Sequence, residues 1–202
     1  MNALTGPGLV LRRNKRAEDD VRLTVFFREH GKVFATSKGG QKAKSVLKAI
    51  QEPFTEADFH VFAPEHGVNG RLGGGKLIDS HQGIRTRFAA FETASRVCEV
   101  VDVLVPFRAA SPEVYDILRS ALRSLSTGAQ VDYEWVLFVA RLLASMGHGD
   151  VSDRLTALLE GKSPSEVQPE SLERCLNLVN AELEQILPWR LKSDRAAVIE
   201  GT

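Results

Sequence analysis

Apolar positions recur with period two along the first part of the chain and with spacings of three and four along the rest. Val21, Leu23, Val25 and Phe27 stand against Arg22, Thr24, Phe26 and Arg28, which predicts a strand with one buried and one partly polar face. Glu29-His30-Gly31 reads as a tight turn with Gly31 supplying a positive φ, and Lys32 to Ser37 resumes an extended run. Val21 to Lys38 is therefore predicted to be a hairpin. Gly6-Pro7-Gly8 punctuates ahead of Leu9-Val10-Leu11, a short apolar first strand. Ser45 to Gln51 predicts one or two helical turns ended by Pro53. Ala57, Phe59, Val61 and Ala63 alternate with Asp58, His60 and Phe62 as a further strand; Pro64 to Gly75 predicts a glycine-rich hairpin loop, and Lys76 to Ser80 a short last strand. About five strands, none long enough to dominate, hide their edges most economically in a small closed or partly closed barrel.

The pattern changes near Gly83. Phe88, Phe91, Ala94 or Ser95, Cys98, Val101 and Val105 predict an amphipathic helix ending before Pro106. Ser111-Pro112-Glu113 is a helix start, Val114 to Leu125 supplies its apolar face, and Gly128 lies past its end. The helix opening at Asp132 is apolar on most sides through Trp135, Val136, Phe138, Val139, Leu142, Leu143 and Met146, and should be the centre of a bundle. Val151 to Glu160 and Ser171 to Leu187 predict two more, ended by Gly161 and Pro188. The expectation is an α+β chain, with a β-barrel domain over residues 1–82 and an all-helical domain over residues 83–202.

Charge adds what periodicity cannot. The chain is neutral overall, yet Arg12 to Lys48 carries eleven lysines and arginines against four acids, a surplus of seven. Such asymmetry points to a polyanionic partner at this end. The loop Lys38-Gly39-Gly40-Gln41-Lys42-Ala43-Lys44 has no acid to dilute it, and its glycine pair lets backbone and lysines approach a phosphate chain closely. From Asp150 to Glu184, eight acids stand against three cations, the composition of a solvated helical surface. At 202 residues, 43% hydrophobic and 26% charged, the chain suits a globular protein with a real core. No run is apolar enough to span a membrane, and cytoplasmic residence is the expectation.

Enzyme and metal signatures are missing from the sequence. Gly70-Arg71-Leu72-Gly73-Gly74-Gly75-Lys76-Leu77 has the spacing of a phosphate-binding P-loop, but Leu77 stands where a hydroxyl must ligate Mg²⁺, and a strand follows rather than a helix. Arg71 and Lys76 remain candidates for touching a nucleic-acid backbone. The five histidines show no metal-ligand spacing, Cys98 and Cys175 read as separate buried thiols, and Asp19-Asp20 sits among arginines rather than in a Mg²⁺ site. Of Phe26, Phe34, Phe59 and Phe62 on predicted strands, most should be core; Phe26, sharing a face with Arg22 and Arg28, is the candidate for stacking on a base.

Leu9-Val10-Leu11-Arg12-Arg13, Glu18, Thr24 to Val33, Lys38-Gly39, Lys44-Ser45, Arg141-Leu142-Leu143 to Met146-Gly147 and Leu191-Lys192-Ser193 stand in an order and spacing that resembles the bacterial DNA repair protein RecO family. The resemblance implies an N-terminal OB-fold followed by a helical domain. It implies a recombination mediator rather than an enzyme: one that binds single- and double-stranded DNA, anneals complementary strands, works with RecR, contacts single-strand-binding protein and helps load RecA. With the charge pattern, it places DNA contact on Arg12, Arg13, Arg22, Phe26, Arg28, Lys32, Lys38, Lys42 and Lys44. Many members carry a four-cysteine zinc module in the helical half; here only Cys175 stands nearby, so neither metal nor cofactor is expected. The rival from another class is a protein-interaction adaptor whose basic barrel binds an acidic protein.

Overall fold

A computed structural model describes residues 2–16, 19–39, 47–159 and 164–187. Five strands, β1 (Asn2–Lys15), β2 (Val21–Phe27), β3 (Gly31–Ser37), β4 (Glu56–Ala63) and β5 (Asn69–Asp79), close a barrel in the order β1-β2-β3-β5-β4. All pairs are antiparallel except β3 with β5, so the closing contact is a parallel one. The interior is filled by the alternate residues that periodicity picked out, among them Val21, Leu23, Val25 and Phe27 from β2, and Ala57, Phe59, Val61 and Ala63 from β4. The β2–β3 hairpin forms as predicted, with Gly31 at φ 69°. A Cβ there would collide with the Ala109 backbone, so the turn is fixed by close approach as well as by its φ.

Three local expectations are corrected. The first strand runs 14 residues rather than three, because Gly6-Pro7-Gly8 does not stop it. It is where the strand changes partner: residues up to Leu9 pair with β4, and those from Gly8 onward pair with β2. Pro7 lacks an N–H, but its carbonyl accepts from Arg28 N at 3.1 Å, so the exchange costs no ladder bond on that side. Second, the glycine-rich stretch is not a loop but most of β5. A Cβ at Gly70 would strike Val61, and one at Gly75 would lie 2.8 Å from Ile50; these glycines are where strands press together. Third, the described part of the predicted helix before Pro53 is one 3₁₀ turn, Lys48–Ile50.

The helices are α1 (Gln82–Arg85), α2 (Phe88–Leu104), α3 (Pro112–Thr127), α4 (Val131–Ser145), α5 (Gly149–Leu159) and α6 (Pro169–Ile186). Two compact units emerge, one of Met1–His81 with Val101–Asp116, the other of Gln82–Val100 with Ile117–Thr202. In the second unit α4 packs with α5 and α6 and buries Trp135, Val136, Phe138, Val139, Leu142 and Leu143, the central position predicted for it. Met146, its C-cap, is exposed instead. On α2 the predicted stripe holds from Ala94 through Cys98 and Val101, all buried, but not at its start, where Phe88 and Phe91 are exposed and Ala90 is buried, as is Val97 further on. Ala90 and Val97 follow helical spacing as faithfully as the two phenylalanines, whose size made them the wrong choice at the start of the helix.

Candidate nucleic-acid interface

Because β2 and β3 turn Val21, Leu23, Val25, Phe27, Val33 and Ala35 inward, their remaining side chains face out. Register then arranges the outer face in rows that run across the strands. One row is Asn14, Arg22, Thr36, Arg71 and Phe62, from β1, β2, β3, β5 and β4 in turn. The next is Arg12, Thr24, Phe34 and Asn69. A further row, nearer the β2–β3 turn, pairs Phe26 with Lys32.

At the turn end the cations are already occupied. Val101–Asp116 belongs to the same compact unit, and Arg108 N donates to Lys32 O at 3.0 Å. Lys32 is only 2% exposed; its ammonium lies 3.0 Å from Asp102 Oδ1, also donates to the Asp102 carbonyl, and sits 4.5 Å from the Phe107 ring centre. Arg12 pairs with the other oxygen of the same carboxylate while keeping about half of its side chain exposed. Arg28 donates from Nη2 and Nε to Asp116 at 2.9 and 3.2 Å and from Nη1 to Glu29 at 2.7 Å. Those bonds, Asp116 first and Glu29 next, raise its pKa above the ordinary guanidinium value. Phe26 is fully buried, its ring 5.9 Å from that of Tyr115. Phe26 is therefore no stacking platform and Lys32 no phosphate contact, since each is covered by the 101–116 segment.

At the opposite end the picture reverses. Arg22 lies 3.5 Å over the Phe34 ring and donates to Asn69 Oδ1 at 2.8 Å. Burial first, and the Arg16 charge second, lower its pKa from the ordinary value, as expected of a cation with a like charge close by. Arg16, Lys38 and Arg71 are exposed, and among the described residues no ion pair joins Arg16, Arg22, Lys38 or Arg71 to a carboxylate. Asp20 is engaged elsewhere, accepting from Gly39 N at 2.9 Å and so holding the turn that displays Lys38. Arg13 lies between the two regimes, mostly buried with Nε 3.7 Å from Glu52. Lys42 and Lys44 lie outside the described residues.

Of the cations at this end, the sequence reading named Arg22 and Lys38 for DNA contact and Arg71 only as a further candidate, and it did not name Arg16. Phe62, weighed for stacking alongside Phe26 but not preferred, is 38% exposed on β4 opposite Arg71. Its exposure follows from phase: Phe62 is out of step with the buried positions of its strand, sharing the face of Asp58 and His60. Among the described residues no three His, Cys, Asp or Glu side chains gather as a metal site requires.

A closed five-stranded barrel with this strand order is OB-fold-like, and in this chain it is followed by an all-helical part. Residues 1–81 match the family model described as Recombination protein O N terminal, and residues 85–149 the one described as Recombination protein O C terminal. The chain belongs to the RecO family. Among its relatives are the DNA repair protein RecO of Bacillus subtilis, 30% identical over 140 residues, and those of Bacillus pumilus and Listeria monocytogenes, at 29% and 28%. Each alignment takes in 69% of this chain but 54% of the relative, so the match spans about half the length of those proteins.

Proposed function

We propose that this chain acts in DNA repair as a recombination mediator that binds single- and double-stranded DNA, anneals complementary strands, and with RecR and single-strand-binding protein helps load RecA. It works without turnover, in the cytoplasm. The observation that carries the reading is the open barrel end, where Arg16, Arg22, Lys38 and Arg71 have no carboxylate partner among the described residues. Lys42 and Lys44, which follow Lys38 in the sequence, join the proposed contacts by their charge, as does the exposed half of Arg12. Family membership supplies the biological context.

The physics of annealing follows. Two strands repel along their length, and a cationic surface that neutralises phosphates of both lowers that barrier while leaving base edges free to pair. Affinity should then come mainly from phosphate, with little sequence preference and a steep dependence on salt. The test is fluorescence anisotropy across salt concentrations with the full chain and with Lys38→Glu/Lys42→Glu/Lys44→Glu. The triple variant should bind every sequence more weakly and show a flatter plot of log affinity against log salt. Unchanged binding and slope would defeat the assignment.

A further inference from the structure

We infer that Phe62 and Arg71 form a base-stacking station by which the open end of the barrel prefers unpaired to paired strands. This rests on the DNA-binding reading above and adds to it the residue that recognises a base.

Phe62 is 38% exposed on the outer face of β4, directly opposite Arg71 of β5. The Arg71 guanidinium lies 5.5 Å from the centre of the ring. Beneath the ring is Gly73, the extra residue where the β4–β5 register shifts between His60 and Val61; a Cβ there would collide with the ring. Gly74, next along, has open space where its Cβ would be. The glycine stretch that mimics a P-loop in sequence thus makes a bare backbone floor on which an aromatic ring can rest. A ring seated in this way is held before any ligand arrives, and little side-chain entropy remains to be lost on binding.

Charge and position select the occupant. From Asn69 to Ile78, β5 carries Arg71 and Lys76 and no acid. In register, Arg22, Thr36, Arg71 and Phe62 occupy consecutive strands, a span of about 14 Å at ordinary strand spacing, long enough for a few nucleotides. Cations along that row meet phosphates, and the ring at its end meets the face of a base, which every base offers and a duplex keeps stacked. An acidic peptide would use the cations alone and would leave the ring idle.

The test measures anisotropy of labelled oligothymidylate and of a blunt duplex of equal length against the full chain and Phe62→Ala, Phe62→Leu and Phe62→Trp. Far-UV circular dichroism and unfolding midpoints check each fold. Phe62→Ala and Phe62→Leu should lose about tenfold in affinity for the single strand and keep duplex affinity. Phe62→Trp should restore single-strand binding, with indole fluorescence quenched on saturation beyond any change in the parent. Equal loss on both substrates, or no loss on either, would overturn the station while leaving DNA binding intact. If the parent chain bound neither substrate, the functional reading itself would fall. Displacement of the oligonucleotide by polyglutamate, together with indifference to Phe62→Ala, would reassign the surface to an acidic protein.

Discussion

The two ends of the β2–β3 outer face carry the same kind of residue and put it to opposite use. At the turn end, Arg28 and Lys32 are held by Asp116 and Asp102; at the other, Arg22 and Lys38 lie on the same hairpin with no carboxylate paired to them among the described residues. The difference comes from what is laid over the strands. Asp102 and Asp116 belong to a segment about 70 to 90 residues further along the chain, which returns to cover one end and leaves the other bare. A surplus of cations in a sequence is thus an upper limit on a polyanion surface, from which every internally neutralised charge must be subtracted.

The largest effect is expected from breaking the covered end. Asp102→Ala removes one carboxylate that serves both Arg12 and Lys32, and it strands the Lys32 ammonium in a site 2% exposed. Losing one partner of a buried pair costs about 3–5 kcal/mol, far more than the pair adds over an apolar substitute. Urea unfolding should show that loss, and Asp102→Leu with Lys32→Met should recover most of it. Were Asp102→Ala as stable as the parent, Lys32 would have to reach water, and the contrast between the ends would disappear.

How much was legible follows from the range of the forces involved. The β2–β3 hairpin, the apolar helix α4 and the buried face of β4 were readable because period and turn chemistry act over a few residues. The length of β1 was not, since Gly6-Pro7-Gly8 marks a change of partner as readily as an end. Nor was β5, whose glycines answer to the bulk of Val61, Phe62 and Ile50 on other segments. Phase told that Phe26 and Phe62 both point outward from the barrel. Only tertiary structure told that Tyr115 lies against the first while the second stays 38% exposed.

A smaller effect sharpens the same contrast in the second unit. Asp102 is buried with two cations, whereas Glu134 is buried on α4 with the Ser124 hydroxyl bond and the Arg141 charge only partly offsetting its loss of water. Burial pushes its pKa up to about 7 from 4.5. The folded state therefore binds more protons than the unfolded one between those values, and stability falls as pH rises through that window. Glu134→Gln should match the parent near pH 4 and exceed it at pH 8 by about 2–3 kcal/mol in urea unfolding. A gain equal at both pH values would mean that ionisation of Glu134 is not what the substitution relieves.

The smallest change in stability should accompany the largest difference in binding. Arg28→Ala and Arg22→Ala each remove a guanidinium from the outer face of the same hairpin, and by charge count they are equivalent. Arg28 gives its donors to Asp116 and Glu29, so deleting it leaves two exposed carboxylates behind and removes no free phosphate ligand. Arg22 keeps only Asn69 and the Phe34 face as partners among the described residues, so deleting it subtracts a cation that a phosphate can claim. In single-stranded DNA titrations, Arg22→Ala should lower the slope of log affinity against log salt by somewhat under one unit, while Arg28→Ala should leave the slope where it was. Both variants should unfold close to the parent midpoint, because each side chain is at least partly in water. An equal reduction for the two would mean that phosphate displaces Asp116 from Arg28 on binding and that the covered end opens to DNA as the bare end does, whereas no reduction for Arg22→Ala would mean that Arg22 meets no phosphate.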